Sequence, residues 1–378
     1  MANPSPVRLL RWRRLAIAGP VVAILAAAAV PGADAAAAIS HAGAGAPGWP
    51  KLPATRNPAT WPFSASSPWN HPIGYGVKYH KTTDGCTSDV RNVADGSDLA
   101  TTQWSVPVYT ESNASRRITI WDNNVSRSFA SHLSPGARPA GPAGGDNDLA
   151  IINTSANTVD EMWHARIDDG RARVGAADYA RYSLLGPGIG RPIQGGNQGV
   201  RAYGGSQIAG LIRRGELSHG IHHALAFSQP RNMQRPGWVW PATSQDSGGG
   251  YTGHVPIGQL TYIPRSNFSG FGLSAWGLRI ARALHWYGAY DVDSGGGWNF
   301  YAQPSVITEI GQSGYRQIAF HDIPILRKLL VCVTNNGPHS VGGGGGFPPQ
   351  LTPPPFKLGA APGSQLIRPA DGRTVPFR

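Results

Sequence analysis

The chain has 378 residues, of which 50 glycines and 33 prolines make up about 22%, while charged residues make up only 14% against roughly 25% in a typical globular protein. This low charge excludes a coiled coil, a charged helical bundle and a highly charged disordered chain. Twelve tryptophans and a hydrophobic fraction of 40% supply enough apolar material for a sizeable core.

The first segment has the three parts of a secretory signal peptide. Four arginines precede an apolar stretch at residues 15–30, and residues 32–35 end in a small-residue A-x-A site. We therefore expect residues 1–35 to be a signal peptide that is cleaved after Ala35, and the protein to be secreted. No later stretch is long and apolar enough to span a bilayer, so no membrane contact is expected after cleavage. Export by the Sec or by the twin-arginine route stays open, because Arg13–Arg14 is an adjacent pair.

Cleavage would remove four arginines and one aspartate, which lowers the formal net charge from +12 to +9. A basic surface of this kind suits an acidic polysaccharide, an anionic cell wall or nucleic acid. The basic residues are scattered, apart from pairs such as Arg116–Arg117 and Arg213–Arg214, and they form no basic helix or finger motif. We therefore predict no nucleic-acid partner.

The sequence of the mature chain predicts a linker followed by a β-rich domain. Residues 36–60 are rich in alanine, glycine and proline without periodicity, which predicts a flexible linker. Residues 61–335 contain short apolar segments separated by turn residues, which predicts a mostly-β fold, namely one β-sandwich or jelly-roll-like domain. The predicted strands cover residues 103–109, 117–121, 149–153, 160–166, 224–229, 238–241 and 259–263.

One or two short helices are expected within this domain. Apolar residues at helical spacing alternate with arginines over residues 274–287, where Ser274 would cap the N-terminus and Gly288 would stop the helix. A second, shorter helix is predicted over residues 323–330, with Pro324 in its first turn.

The two cysteines, Cys86 and Cys332, form an even pair in an exported chain and predict one disulfide. Closing so long a loop would contribute on the order of 4 to 5 kcal/mol by chain entropy. Two cysteines alone make no zinc site. After Cys332 a GGGGG run and the segment PPQLTPPP predict a Gly/Pro-rich linker and a basic tail over residues 336–378.

The richest chemistry lies in a predicted hairpin. Residues 146–153 and 160–166 flank a polar turn. A turn centred on residues 155 and 156 would pair Ala150 with Glu161, and alternation then puts three carboxylates and one tryptophan on the same face. These are Asp146, Asp148, Glu161 and Trp163.

Such a face suits acid–base chemistry on a glycosidic bond. Diagonal neighbours across a hairpin lie roughly 7 to 8 Å apart, a plausible separation for Asp148 and Glu161 as a carboxylate pair. Trp163 between them would shield the site and raise the pKa of one group. Alternatively, the acids cap turns, pair with Arg166 or Arg201, or bind calcium through the DNDL loop. We predict no cofactor and leave a structural calcium ion open.

Two further candidates for acid–base work follow along the chain. His223 is one of three histidines near residue 220, and its alternative role is that of a buried, hydrogen-bonded side chain. Adjacent histidines on an extended chain point to opposite faces, so no zinc site is predicted. Asp293 precedes a glycine run and is either a site carboxylate or an Asx-turn residue.

Candidate substrate-binding residues are one cation and several aromatic rings. Arg201 lies in a glycine-rich segment and would stabilise negative charge on a substrate. Tryptophan rings would stack on sugars, although most tryptophans in a β domain belong to the core. The predicted substrate-binding residues are Trp163, Arg201, Trp240 and Trp298.

An ordered series of motifs resembles a family of exported bacterial proteins, many of them actinobacterial. In this chain the motifs read DLAII, EMWHAR, RAYGGSQIAGLIRRGEL, IHHALAF, VWPA, GFGLSAWGLRIARALHWYG and DVDSGGGWNF, over roughly residues 65–310. The family usually shows D-x-H-L, E-x-W, A-S-G-L-P-L-L-x-G-L-I-R, H-A-L-x-F, V-W-P-A and A-D-N-G-S-N-W. The matching residues are Asp146, Glu161, Trp163, Arg213, His223, Trp240 and Asp293.

The chain also departs from this pattern. Asp148 stands where the family usually has histidine, and residues 203–205 and 294–295 differ from its small-residue and asparagine–glycine segments. The resemblance therefore weakens Asp148 as a catalytic group and favours Glu161, His223 and Asp293. It implies one β-rich extracellular domain and names no substrate.

Together these features favour a secreted glycoside hydrolase that acts on a polysaccharide, with Glu161 and either Asp146 or Asp293 as its carboxylate pair. The first alternative is a polysaccharide lyase on an acidic polymer, with His223 or a tyrosine as base and Arg201 as the stabilising cation. The second is a non-catalytic protein that binds a cell-wall glycan. A peptidase lacks a recognisable signature. We expect a monomer.

Overall fold

The computed structural model describes residues 52–93, 96–142 and 145–358, and all of them belong to one compact unit. The predicted signal peptide, the predicted linker up to residue 51 and the tail from residue 359 lie outside the described residues. The described chain is mostly strands in several sheets, so the prediction of a mostly-β single domain is confirmed.

In chain order, the strands of the described residues are β1 (Ser97–Ala100), β2 (Val108–Glu111), β3 (Arg117–Asp122), β4 (Arg127–His132), β5 (Leu149–Asn153), β6 (Thr158–Trp163), β7 (Arg166–Asp168), β8 (Arg173–Ala176), β9 (Asp178–Ser183), β10 (Gln194–Gly195), β11 (Leu225–Gln229), β12 (Gln234–Trp238), β13 (Val255–Ile257), β14 (Leu260–Tyr262), β15 (Ala289–Ser294), β16 (Trp298–Tyr301) and β17 (Val331–Cys332).

The helices are α1 (Gly85–Arg91), α2 (Glu216–His219), α3 (Ala275–Trp286), α4 (Val306–Gln317) and α5 (Ile323–Arg327), with a π-helical stretch at Ile318–Asp322 that joins α4 to α5. Short 3₁₀ turns lie at Arg231–Met233, Val341–Gly343 and Pro349–Leu351. None of the helices in the part of the chain that the structure describes is long and apolar enough to cross a membrane.

Four sheets hold the strands of the described residues. The six-stranded sheet has the order β1-β16-β11-β15-β14-β17, and the five-stranded sheet has the order β10-β9-β6-β5-β2. The four-stranded sheet has the order β4-β3-β8-β7, and β12 pairs with β13. In the six-stranded sheet β11 pairs with β15 in parallel and with β16 in antiparallel orientation. Strands that are distant in sequence are therefore neighbours in this sheet.

Two apolar cores stabilise this arrangement. The four-stranded and five-stranded sheets share one core, in which Ile120 of β3 and Ile151 of β5 are completely buried. The second core covers the six-stranded sheet and is packed by helices, and in it Phe227 of β11 and Ile280 of α3 are completely buried. Each such side chain contributes about 1.5 to 3 kcal/mol through its removal from water.

The hairpin β5–β6 has the predicted register. Ala150 pairs with Glu161, as expected from a turn centred on residues 155 and 156. The turn is closed by Asn153, whose side-chain oxygen accepts hydrogen bonds from the backbone N–H groups of Ser155 (3.0 Å) and Ala156 (3.1 Å). Local turn chemistry thus fixes which side chains share a face.

The ends of α3 are also as predicted. The hydroxyl of Ser274 accepts a hydrogen bond from the backbone N–H of Gly277 (3.0 Å), which is the expected N-cap contact. Gly288 follows the helix with φ 75°, and a Cβ there would lie 2.5 Å from the carbonyl oxygen of Thr261. Glycine is therefore required where the chain leaves the helix and enters β15.

Part of the predicted N-terminal linker belongs to the domain. Arg56 is buried, and its guanidinium donates to the carbonyl oxygens of Trp61 (2.7 Å), Phe63 (2.6 Å) and Pro354 (2.9 Å). The linker prediction is therefore wrong for residues 52–60, because one buried cation ties this segment to the domain.

The predicted C-terminal linker is likewise wrong for residues 336–358. The five glycines at 342–346 all have positive φ, between 63° and 91°, a conformation that glycine adopts without strain. Carbonyls of this run accept hydrogen bonds of 2.9 Å from the backbone N–H groups of Gly74, Tyr75 and Gly76. A composition typical of flexible linkers thus forms an ordered, hydrogen-bonded loop.

The predicted disulfide is confirmed. Cys86 in α1 and Cys332 in β17 are joined, with an S–S distance of 2.06 Å. The neighbouring Thr87 hydroxyl accepts a hydrogen bond from the backbone N–H of Cys332 (3.2 Å). The bond links two segments that are 246 positions apart in sequence.

Candidate functional site

Three carboxylates and one arginine converge between the five-stranded and six-stranded sheets. Asp146 and Asp148 lie directly before β5, and Asp293 lies in β15. Arg201 comes from the loop between β10 and α2, and its Nη1 donates to Oδ2 of Asp293 (3.1 Å) while Nη2 lies 3.9 Å from Oδ2 of Asp148. One guanidinium therefore links carboxylates from both sheets.

Tyr301 completes this carboxylate cluster, and the sequence analysis missed it. The guanidinium carbon of Arg201 lies 4.0 Å from the centre of the Tyr301 ring, and the Tyr301 hydroxyl donates to Oδ2 of Asp293 (3.1 Å). Strand alternation supplied a signal, because Trp298 and Phe300 are core residues and Tyr301 follows on the other face of β16.

Burial sets the protonation of the cluster. It raises the pKa of Asp148 to about 8, with Arg201 opposing the shift and Asp146 adding to it. Burial raises the pKa of Asp293 to about 6, again against the effect of Arg201. Burial disfavours the charge of Arg201, but the acidic groups around it hold its pKa above the usual value. Near pH 7 the cluster thus contains a neutral Asp148, an ionised Asp293 and a permanent cation.

The exposed Trp163 borders the cluster at Asp146. Nε1 of Trp163 donates a long hydrogen bond to Oδ1 of Asp146 (3.4 Å), and the ring of His164 lies 4.0 Å from its ring. Trp163 is 38% exposed, so part of this side chain is accessible to a ligand.

A buried amide network supports the backbone at Asp293. Nε2 of Gln234 donates to the Asp293 carbonyl (2.9 Å) and to Oδ1 of Asp291 (3.0 Å), while Gln229 donates to Oδ2 of Asp291 (2.7 Å). Ser294 in turn donates to the side-chain oxygen of Gln234 (2.8 Å). This network fixes β15, and with it the position of the Asp293 carboxylate.

Glu161 is fully buried behind the cluster rather than open to a substrate. Its carboxylate accepts hydrogen bonds from the Ser206 hydroxyl (2.5 Å) and from the backbone N–H groups of Gln207 (3.0 Å) and Ile208 (3.2 Å). Burial raises its pKa to about 7, although these bonds favour the ionised form. The contacts anchor the loop that carries Arg201, and catalysis by Glu161 stays a prediction.

His223 lies in a different environment. Its Nε2 is 3.0 Å from Oε1 of Glu216, and its Nδ1 is 2.9 Å from the carbonyl oxygen of Ala224. Burial alone would lower the pKa of His223, but Glu216 outweighs it and the pKa is raised. Among the described residues no hydrogen bond or ion pair joins His223 to the carboxylate cluster, so the structure does not bring this predicted base to the site.

The prediction that Trp298 binds substrate is wrong. Its side chain is completely buried, stacked on Phe227 at 5.1 Å and packed edge-on against Phe300 at 4.7 Å. The reason is topological, because β16 lies between β1 and β11 and its inward face belongs to the core. Trp240 is half-buried after β12, where its carbonyl accepts a hydrogen bond from Asn336 (3.5 Å), and its role in binding stays a prediction.

The loop that the sequence suggested for calcium is held by its own hydrogen bonds. The Asn147 side chain donates to the carbonyl oxygens of Ala140 (3.0 Å) and Pro142 (3.1 Å). Within residues 52–93, 96–142 and 145–358, no group of three or more histidine, cysteine, aspartate or glutamate side chains is arranged to hold a metal ion.

No protein-family model matches the chain, and no curated protein or solved structure is detectably similar to it. The resemblance to exported actinobacterial proteins therefore stays a prediction. The chemistry of the cluster itself is the basis for a functional proposal.

Proposed function

We propose that the protein is a secreted glycoside hydrolase that cleaves a polysaccharide at the carboxylate cluster. The observation that carries this proposal is the pair Asp148 and Asp293 on one guanidinium. Contacts of 3.9 Å and 3.1 Å to Arg201 keep the two carboxyl groups within roughly 9.5 Å, the upper end of the separation in glycoside hydrolases. The predicted signal peptide and the disulfide support an extracellular location.

The protonation states suit the two roles. Asp148, with its pKa near 8, is the general acid that gives its proton to the glycosidic oxygen as the bond to the anomeric carbon breaks. Asp293, with its pKa near 6 and a side chain 21% exposed, is the ionised partner. It acts as nucleophile or as base toward water, which supplies the hydroxyl group of the new reducing end.

This proposal assigns the acid to Asp148 and not to Glu161. The Glu161 carboxylate accepts three hydrogen bonds from residues 206–208, and its side chain has no solvent exposure. A catalytic acid has to reach the scissile oxygen, directly or through one water. Glu161 serves instead to position the arginine loop.

The lyase alternative has less support. Burial raises the pKa of Tyr301 well above its usual range, which makes it a poor base. His223 contacts Glu216 rather than the cluster, and Arg201 is flanked by two carboxyl groups. None of these groups is placed to remove a proton beside a uronic carboxylate.

The test is a comparison of the purified protein with Asp148→Asn and Asp293→Asn on hydroxyethyl cellulose, xylan, laminarin, pullulan and polygalacturonate. New reducing ends and ultraviolet-absorbing unsaturated products are both followed. We expect reducing ends without unsaturation, and a loss of roughly 10²- to 10⁴-fold in turnover for each variant. Asp168→Asn is the matched control, because Asp168 is an exposed carboxylate paired with Arg171 on the surface.

Three results would contradict the proposal. Unsaturated products would indicate a lyase. Binding of a polysaccharide without any product would indicate a glycan-binding protein. Full activity in both asparagine variants would place the chemistry elsewhere on the protein.

A further inference from the structure

The segment at residues 101–107 crosses between the strands that supply the carboxylate cluster. It begins after Ala100, which pairs directly with Tyr301 in the parallel ladder of β1 and β16. It ends at Pro107, whose carbonyl accepts a hydrogen bond from the backbone N–H of Ala150 (3.0 Å) at the start of β5. The segment therefore borders the cluster on the side of Tyr301 and Asp148.

Contacts on both sides fix the middle of this segment. The buried Ser105 hydroxyl donates to the carbonyl oxygen of Ala302 (2.5 Å), directly after Tyr301. On the other side Gln103 packs so closely on Gly141 that a Cβ on this glycine would lie 2.5 Å from the Gln103 Cα atom. Gly141 belongs to the loop that leads to Asp146, so the segment is held between two elements of the site.

Trp104 lies between these two contacts, and its side chain is 48% exposed. A single exposed tryptophan is ordinary on a protein surface. Trp104 differs because its neighbours Gln103 and Ser105 contact elements that adjoin the cluster. A second exposed indole, that of Trp163, lies against Asp146. Two exposed indoles thus belong to segments that adjoin one group of carboxylates.

We propose that Trp104 forms a sugar-binding subsite beside the carboxylate cluster, where its indole stacks on a ring of the bound polysaccharide. The inference rests on the proposed function, because it names a second contact for the same substrate. An indole face matches the apolar C–H face of a sugar ring, and two χ angles make its ordering inexpensive in conformational entropy.

The test separates binding from turnover by using Asp293→Asn as a background in which cleavage is expected to be strongly slowed. Migration in native gels that contain hydroxyethyl cellulose, xylan, laminarin, pullulan or polygalacturonate reports affinity for each polymer. We expect Trp104→Ala to weaken the retention of this protein about tenfold, as the loss of a buried aromatic contact implies, and Trp104→Phe to keep most of it. Trp121→Ala is the matched control, because Trp121 is 36% exposed on β3 in the four-stranded sheet.

The same substitutions in the active protein give a second readout. Trp104→Ala should raise KM for the polymer about tenfold and leave kcat within about threefold, because stacking acts on ground state and transition state alike. Thermal unfolding of each variant shows whether the fold is kept.

Each outcome separates the subsite from the hydrolase proposal. Retention and KM of Trp104→Ala equal to those of its parent would overturn the subsite and leave the hydrolase intact. Weakened retention in a protein that never cleaves a polymer would support the subsite and overturn the hydrolase. If neither the active protein nor the Asp293→Asn protein binds any of the five polymers, both proposals are contradicted.

Discussion

Two buried carboxylate–arginine clusters in this molecule are built in opposite ways. Asp160 in β6 accepts hydrogen bonds from Arg181 Nε (2.6 Å), the Tyr179 hydroxyl (2.6 Å) and the Ser131 hydroxyl (2.5 Å), and Arg181 adds a second bond through Nη2 (3.1 Å). One carboxylate is thus saturated by a dedicated cation and two hydroxyl groups. This cluster ties the five-stranded sheet to the four-stranded sheet.

In the carboxylate cluster one cation, that of Arg201, is shared by two carboxyl groups. Arg201 contacts both Asp148 and Asp293, and its Nε and Nη2 atoms have no hydrogen-bond partner among the described residues. Its side chain is only 4% exposed, so these donors are costly to leave unused. The saturated cluster is suited to stability, whereas the unsaturated one retains the capacity to respond to a ligand.

The largest effect on stability should come from the saturated cluster. Asp160→Asn leaves Arg181 without its buried counter-ion, and we expect the free energy of unfolding to fall by about 3 kcal/mol. Urea denaturation at neutral pH measures this change. Asp168→Asn, which removes an exposed ion pair, should change it by less than about 1 kcal/mol. Equal values for the two variants would remove the distinction between the clusters.

The carboxylate cluster should instead reduce stability as the pH rises. The pKa of Asp148 is about 8 in the folded protein and about 3.9 in an unfolded chain, so the folded state binds the proton more tightly. The free energy of unfolding should therefore fall between about pH 4 and pH 8, with a slope of at most about 1.4 kcal/mol per pH unit from this group.

Asp148→Asn tests this sign directly. Denaturation of the parent and the variant at pH 7 and pH 8 isolates Asp148 from Asp293, whose pKa lies near 6. We expect the parent to lose stability relative to the variant over this interval. A constant difference between the two proteins would show that Asp148 does not take up a proton on folding.

Glu161 resembles Asp160 in accepting several hydrogen bonds, and its replacement should cost less stability than that of Asp160. In Glu161→Gln one amide N–H group would face a backbone donor of the 206–208 loop, and we expect a loss of about 1 to 2 kcal/mol. Turnover should fall less than tenfold. Unchanged stability combined with complete loss of turnover would identify Glu161 as the catalytic carboxylate and would contradict the assignment of the acid to Asp148.

Features that depend on neighbouring residues follow from the sequence. The register that pairs Ala150 with Glu161, the N-cap at Ser274 and the helix stop at Gly288 were all predicted, because turns and caps act over a few positions. The disulfide followed from the presence of one cysteine pair in an exported chain.

Features that depend on pairing between segments distant in sequence could not be predicted from the sequence. β15 occupies an interior position in the six-stranded sheet because it pairs with β11 in parallel, so Asp293 lies in a strand and not in an isolated turn. The same sheet buries Trp298, which the sequence alone does not distinguish from a sugar-binding tryptophan. The glycine run at 342–346 is ordered only because residues 74–76 meet it.

In the candidate site, too, some residues could be predicted from the sequence and others could not. Asp146, Trp163, Arg201 and Asp293 were predicted site residues, and the structure brings them together. Asp148, which the predicted strand alternation puts on the same face, also lies in the cluster. Tyr301 was missed, because its position in the cluster depends on the pairing of β16 with strands distant in sequence.

The buried Arg56 segment has a mechanical consequence. The backbone N–H of Arg56 donates to the carbonyl oxygen of Pro355 (3.0 Å), and its carbonyl accepts from the N–H of Lys357 (2.8 Å), so the two ends of the described chain lie side by side and run parallel. A force that pulls these ends apart would load both hydrogen bonds simultaneously and in shear, together with the contacts of the guanidinium. The two ends therefore act as a clamp that resists stretching before the sheets behind it bear any load.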